Sequence, residues 1–184
     1  PQQGGLPAAA VGLASAQAHA GEEVHVVYLL DVSEQQAVDD QYGHHLGYDR
    51  LIHHRVGGWN TMARLFRSPG RTLAAIAPDW VFVHGVWDPF LVAATRWCRT
   101  HQTAWSTVPH SMLHPWHQKR LAVPKRLLRM LGWERLLKDA TFLHALNACE
   151  QDVLMNLYPT QRVEIVPNGI QLPAFDASAD RSVP

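Results

Sequence analysis

Histidines are the residues best suited to chemistry in this chain, and His110, His114 and His117 fall within eight positions, in the stretch VPHSMLHPWHQKR. A zinc site would need all three rings to converge, and the stretch holds no cysteine or carboxylate for a fourth ligand. Pro109 and Pro115 predict a loop in which the rings need not share a face. We therefore expect no metal site, and we favour His110 alone because it directly follows a predicted strand.

Other candidate side chains stand where predicted strands end or helices begin. His84 and Gly85 end the apolar segment PDWVFVHG, and Trp87 follows shortly after. The histidine could contact a ligand or form a core hydrogen bond, and the tryptophan could stack on a ligand or pack in the core. Glu150 could act as an acid in a cleft, but its spacing from Asn147 also predicts a capping box. Both interpretations stay open for each residue.

Helical and strand patterns alternate along the chain. Helices are predicted at about 6–19 and 60–77, the second interrupted at the sequence SPG, and the acidic segment 31–48 is predicted to be a loop. The segments VHVVYLL, RLIHHRV, PDWVFVHG, TAWSTVPH, ATFLHALN and RVEIVPNG predict strands. Asp88 and Pro89 predict a helix N-terminus. The order predicts an α/β fold, a Rossmann-like doubly wound parallel sheet with helices on both faces.

The turns after the strands are where ligands bind in such a sheet. Gly4 and Gly5 form a glycine turn that leads into the first helix, where free N–H groups can hold a phosphate. Two glycines before a helix are a weak signal by themselves. A doubly wound domain usually reaches such a turn from a strand, so we expect the first strand to lie upstream of Pro1.

Five segments, in this order and spacing, resemble the N-terminal half of a family-4 glycosyltransferase of the GT-B type. They are GGLPAAAVGLASAQAHAGEEVHVV, VFVHGVWDPF, VPHSMLHPW, DATFLHALNACEQDVL and VEIVPNGI. The resemblance implies a family-4-like domain over 1–175, with 176–184 as a tail or the start of an interdomain linker. It also implies that the C-terminal donor domain is missing from these 184 residues and that this fragment alone is inactive.

The activity implied by the resemblance is retaining hexosyl transfer from a nucleotide-diphosphate sugar to a polysaccharide or glycolipid acceptor, without a further cofactor. By position, Gly4 and Gly5 would face the donor diphosphate, and His110 would lie near the transferred sugar. Asn168 and Gly169 would form the interdomain hinge turn. The acceptor side or the cleft would be formed by His84, Gly85, Trp87, Ser111, Trp116 and Glu150. Ser111 stands where the family usually has glycine, which bears on the donor geometry.

The net charge of zero conceals a basic segment at 119–138. Glu134 is the only acidic residue in this segment. This segment begins with Lys119, Arg120, Lys125, Arg126 and Arg129. It could be a solvated helix face or a patch for an anionic membrane surface. A lipid-linked acceptor, as in bacterial polysaccharide or lipopolysaccharide synthesis, would favour the second interpretation.

Several expectations about setting follow from the composition. No apolar run reaches the roughly 18 residues of a bilayer span, and Cys98 and Cys149 are far apart. We expect a cytoplasmic protein, peripheral on the inner membrane face, with no nucleic-acid partner. The alternatives are a non-catalytic Rossmann-like binding module and, more weakly, a histidine-dependent metal hydrolase.

Overall fold

The computed structural model describes residues 5–29, 35–56, 62–114 and 132–169. Its elements are α1 (Gly5–His19), β1 (His25–Leu29), α2 (Gln35–Tyr42), β2 (Ile52–Val56), α3 (Met62–Ile76), β3 (Trp80–His84), α4 (Pro89–His101), β4 (Ala104–Val108), α5 (Glu134–Lys138), β5 (Phe142–Ala145), α6 (Ala148–Leu157) and β6 (Val163–Ile165). This alternation of strands and helices confirms the predicted α/β class.

The described strands form two parallel sheets. One sheet pairs β1 with β2, and the other has the strand order β3-β4-β5-β6. Among the described residues β1 and β3 are not hydrogen-bonded to each other, so the strands fall in two sheets, and their parallel pairing agrees with the predicted α/β architecture. The strand expected upstream of Pro1 stays a prediction. Because the strands of each sheet are parallel, their carboxyl ends lie along one edge, and the turns that follow them are neighbours.

The main core lies between the four-stranded sheet and the helices α4, α5 and α6. Leu136, Leu143 and Leu154 are fully buried in it. The indole N–H of Trp105 and the hydroxyl of Thr107 both donate to the carbonyl of Leu136, at 3.2 and 2.8 Å. These bonds fix α5 against β4, so the end of β4 rests on well-packed core residues.

The segment 31–48 was predicted to be a loop, and this prediction was wrong, because 35–42 forms α2. The helix is polar, which hid it from a search for an apolar stripe. Val38 and Tyr42, four residues apart, pack into a second small core beneath α1. Tyr48, in a short 3₁₀ helix after α2, donates to Asp39 at 2.9 Å and keeps this segment ordered.

The predicted interruption of α3 at SPG was also wrong, since the helix runs through Pro69 without a break. A proline inside a helix removes one hydrogen bond and crowds the preceding turn. Packing offsets that cost: Pro69 and Leu73 are buried, and a Cβ at Gly70 would lie 3.4 Å from Cδ1 of Trp97 on α4. The close α3–α4 contact therefore stabilises the helix around its proline.

The predicted start of α4 is confirmed. The Asp88 side chain accepts a hydrogen bond from the backbone N–H of Phe90 at 2.8 Å, and Pro89 occupies the first turn. This cap fixes the direction in which the chain leaves the end of β3. In the part of the chain described above, no helix is both long and apolar enough to cross a membrane.

Candidate functional site

Two histidines from neighbouring strand ends meet at the carboxyl edge of the four-stranded sheet. His84 ends β3, and His110 lies two residues beyond β4; their Nδ1 and Nε2 atoms are 3.0 Å apart. Burial, with His110 and His144 nearby, lowers the pKa of His84 to about 3. Burial also lowers the pKa of His110, although the charge of Glu150 opposes this shift. The pair is therefore neutral near pH 7, with one ring donating to the other.

The backbone that carries His110 is a tight turn in the left-handed region. His110 and Ser111 have φ values of 53° and 59°, and the N–H of Met112 donates to the carbonyl of Pro109 at 3.1 Å. Two central residues at positive φ under such a bond are the pattern of a type I′ turn. Each non-glycine residue there costs roughly 1–2 kcal/mol. A glycine would adopt this φ freely, so the backbone explains why position 111 suits glycine.

Glu150 connects this turn to α6. The expected capping box forms only in part: Asn147 accepts from the N–H of Glu150 at 2.9 Å, but the Glu150 carboxylate does not return to Asn147. One carboxylate oxygen instead accepts from the N–H of Leu146 at 2.9 Å. The other accepts from the N–H of Ser111 at 2.6 Å. With the residue 5% exposed, the carboxylate is a buried link between two strand-end turns.

His144 was not among the candidates, and the structure places it beside them. It lies on β5, close enough to His84 and His110 to lower the pKa of both. Its Nε2 lies 2.6 Å from the carbonyl of Val166, so this nitrogen carries the proton. In the sequence, a single histidine in an apolar strand indicates a core position and does not point to a functional site. The strand register places Ser106 opposite both Phe82 and Phe142, so His84 and His144, each two residues further along its strand, lie on one face of the sheet.

The N-terminus of α1 lies against the same strand end. Gly85 has a φ of 96°, and a Cβ there would approach Cδ1 of Leu6, in the first turn of α1, to 3.3 Å. Gly5 begins α1 and is exposed, and a Cβ at this position would meet no atom within 4 Å. Gly4 lies outside the described residues. The start of α1 thus lies next to the strand end that carries His84.

Trp87 sits beneath the turn in a packing position. Its Nε1 donates to the carbonyl of Met112 at 3.4 Å, and its ring stacks on Trp133 with centroids 5.7 Å apart. The core interpretation of this tryptophan therefore has direct support. The N–H of His114 donates to the carbonyl of Ser111 and extends the turn.

The remaining candidates are less informative. Asn168 and Gly169 are exposed after β6, and the hinge turn stays a prediction. Trp116 and His117 lie outside the described residues, as do Lys119, Arg120, Lys125, Arg126 and Arg129. Within 5–29, 35–56, 62–114 and 132–169, no three His, Cys, Asp or Glu residues are grouped so that they could hold a metal ion.

A shallow cleft of about 370 Å³ lies at the opposite, amino edge of the sheet, lined in part by Cys98, Arg99 and Asp139. Arg99 and Asp139 form an ion pair at 3.5 Å, with both side chains more than a third exposed. Such surface pairs contribute little to stability. Because ligands of open parallel sheets bind at the carboxyl edge, we place the candidate site at the His84–His110 pair and not at this cleft.

An α/β domain with parallel strands and polar turns at one edge of the sheet has the architecture of Rossmann-like folds. The family model described as Glycosyltransferase Family 4 matches residues 3–172. The chain belongs to glycosyltransferase family 4, and its α/β architecture agrees with the Rossmann-like N-terminal domain of the GT-B fold. No curated protein matches the chain in a sequence comparison.

Proposed function

We propose that this domain forms the acceptor side of the cleft of a retaining hexosyltransferase that uses a nucleotide-diphosphate sugar. The main support is the clustering of the His84–His110 pair, Glu150 and the start of α1 at one sheet edge. Three chain segments far apart in sequence converge there, and the family to which the chain belongs transfers sugars.

The chemistry proposed for His110 needs a neutral, positioned imidazole. In the reaction, the bond between the anomeric carbon and the diphosphate breaks, and the diphosphate takes the electron pair. The acceptor hydroxyl forms the new bond from the same face and gives its proton to the leaving diphosphate. His110 would hydrogen-bond a hydroxyl of the transferred sugar, and its turn would place backbone dipoles near the positive charge that develops on the sugar.

The start of α1 is the proposed neighbour of the donor diphosphate. A helix N-terminus offers unpaired N–H groups and a favourable dipole to phosphate. Gly4 and Gly5 would let the diphosphate approach the backbone closely. Asn168 and Gly169 would lead toward a second domain that supplies the rest of the donor site. A saccharide or lipid-linked acceptor, reached by a cytoplasmic protein at the inner membrane face, completes the proposal.

The test is His110→Ala in the complete protein, with His101→Ala as the control. His101 is exposed at the end of α4, at the amino edge of the sheet. We expect His110→Ala to lower kcat by about 10²-fold or more, as loss of a positioned polar group does. His101→Ala should leave kcat near the wild-type value. Release of nucleoside diphosphate from a panel of nucleotide-diphosphate sugars gives the rate, and NMR gives the anomeric configuration of the product.

Three outcomes would contradict parts of this proposal. Near-normal turnover of His110→Ala would remove this residue from the site. A product of inverted configuration would exclude the retaining mechanism. Binding of a nucleotide sugar without transfer to any acceptor would favour the non-catalytic binding module.

A further inference from the structure

We propose that Glu150 is a positioning residue: its carboxylate holds the His110–Ser111 turn in the conformation that presents His110 to the sugar. The inference rests on the function proposed for His110 above, but it concerns a different residue and a different step, the ordering of the turn. It also assigns Glu150 a role other than that of an acid in the cleft.

The bonding of Glu150 shows why it is unsuited to donate or accept a proton in the reaction. Each carboxylate oxygen accepts a backbone N–H, one from Leu146 and one from Ser111. Bonds of this kind are made to the ionised form and are short and strong. The residue also lies in the first turn of α6, where the helix dipole favours a negative charge. Its two oxygens are therefore engaged in holding backbone.

The partner of this carboxylate is the strained part of the site. Ser111 and His110 both have positive φ values, a conformation that persists only where the surroundings impose it. The bond from Ser111 to Glu150 spans 39 positions of the chain and ends on a residue that is 5% exposed. A rigid helix start thus fixes the turn, and the turn fixes the ring of His110 against His84.

A second effect of Glu150 is electrostatic. Its negative charge raises the pKa of His110, against the larger effect of burial. Removing the charge would therefore lower the pKa of His110 further, and any acid limb of the activity profile that arises from His110 would move to lower pH. This shift reports the nearness of the carboxylate to His110, and the ring signals and the rescue described below report the positioning role.

The test uses Glu150→Gln in the complete protein, because glutamine keeps the shape but turns an N–H₂ group toward one of the two backbone donors. We expect kcat to fall by about 10- to 100-fold with a much smaller change in KM, as displacement of a catalytic group does. The imidazole NMR signals of His110 should lose the signature of the bond to His84. The matched control is Glu134→Gln on α5, a partly exposed glutamate paired with Lys138 at 2.9 Å, which should change neither kcat nor the ring signals.

A rescue variant separates positioning from chemistry. In Glu150→Gln/Ser111→Gly, the glycine adopts positive φ without strain, so the turn can form without the carboxylate. We expect the double variant to regain at least about a third of the kcat lost in Glu150→Gln, measured against Ser111→Gly alone. If Glu150→Gln unfolds, Glu150→Asp keeps the charge with a shorter reach, and the same rescue applies.

The outcomes distinguish this inference from the proposed function. Wild-type kcat and unchanged His110 ring signals in Glu150→Gln would overturn the positioning role. A loss of kcat without rescue by glycine would overturn it in favour of direct chemistry by the carboxylate. Changed ring signals together with normal turnover of His110→Ala would support the positioning role and refute the function proposed for His110.

Discussion

The neutral state of His84 makes the stability of the domain depend on pH in a defined window. The folded protein holds the pKa of His84 at about 3, against 6.5 for the free side chain, chiefly by burial. Below pH 6.5, His84 therefore binds a proton in the unfolded chain but stays neutral in the folded protein. Stability from this residue is fully present above that pH and is lost as the pH falls toward 3.

The change in the free energy of unfolding follows from the difference between the pH and the pKa of His84 in the unfolded chain. Between about pH 7 and about pH 4.5, His84 should reduce the free energy of unfolding by up to about 2.5 kcal/mol. The value changes little if the folded pKa lies a unit higher, because pH 4.5 would still be above it. His110 adds a loss of the same sign, since burial lowers its pKa as well.

Urea unfolding of the wild type and of His84→Gln across this pH range measures the effect. Glutamine can still hydrogen-bond His110 but does not titrate, so the variant should lose less stability on acidification, by up to the same amount of about 2.5 kcal/mol. His19→Gln, at the exposed end of α1, is the control for loss of an imidazole as such. If His84→Gln and the wild type lose stability in parallel, the His84 ring is not held neutral and the buried-pair geometry is wrong.

Two further predictions concern the edge of the site and the basic segment. In thermal or urea unfolding, Gly85→Ala should destabilise the domain by roughly 1 kcal/mol more than Gly132→Ala. Both glycines have φ near 90°, but of the two only Gly85 has a side-chain atom, Cδ1 of Leu6, within 3.4 Å of its Cβ position. Equal losses of stability would contradict the contact with α1. Changing Lys119, Arg120, Lys125, Arg126 and Arg129 to Glu should weaken co-sedimentation of the complete protein with anionic vesicles by more than about tenfold, at roughly 1 kcal/mol per basic residue, and unchanged sedimentation would exclude the membrane patch.

Regular elements with strong local signals were predictable from the sequence. The helix 6–19, the strand segments and the Asp88–Pro89 start of α4 all correspond to observed elements. Caps and β-branched apolar runs are local features, so the sequence alone carries them. The polar helix α2 and the unbroken α3 were missed because tertiary packing, by Tyr42 in one case and around Pro69 in the other, outweighs the local pattern.

Some residues of the candidate site could likewise be predicted from the sequence, and others could not. His84 and His110 could be chosen because each stands at the end of a predicted strand, and the parallel sheet then brings their ring nitrogens to 3.0 Å from each other. The partner of Glu150 could not be predicted, because the capping spacing gave a sufficient local explanation and Ser111 is 39 positions away. His144 gave no signal of its own, since only the strand register places it on the face of His84.

The most direct test of the central claim, that the turns at the carboxyl edge face the donor, is a crystal structure of the complete protein with a bound nucleotide-diphosphate sugar. We expect the sugar within about 3 Å of His110 and the diphosphate at the start of α1. A donor bound at the amino edge, beside Arg99 and Asp139, would contradict the claim.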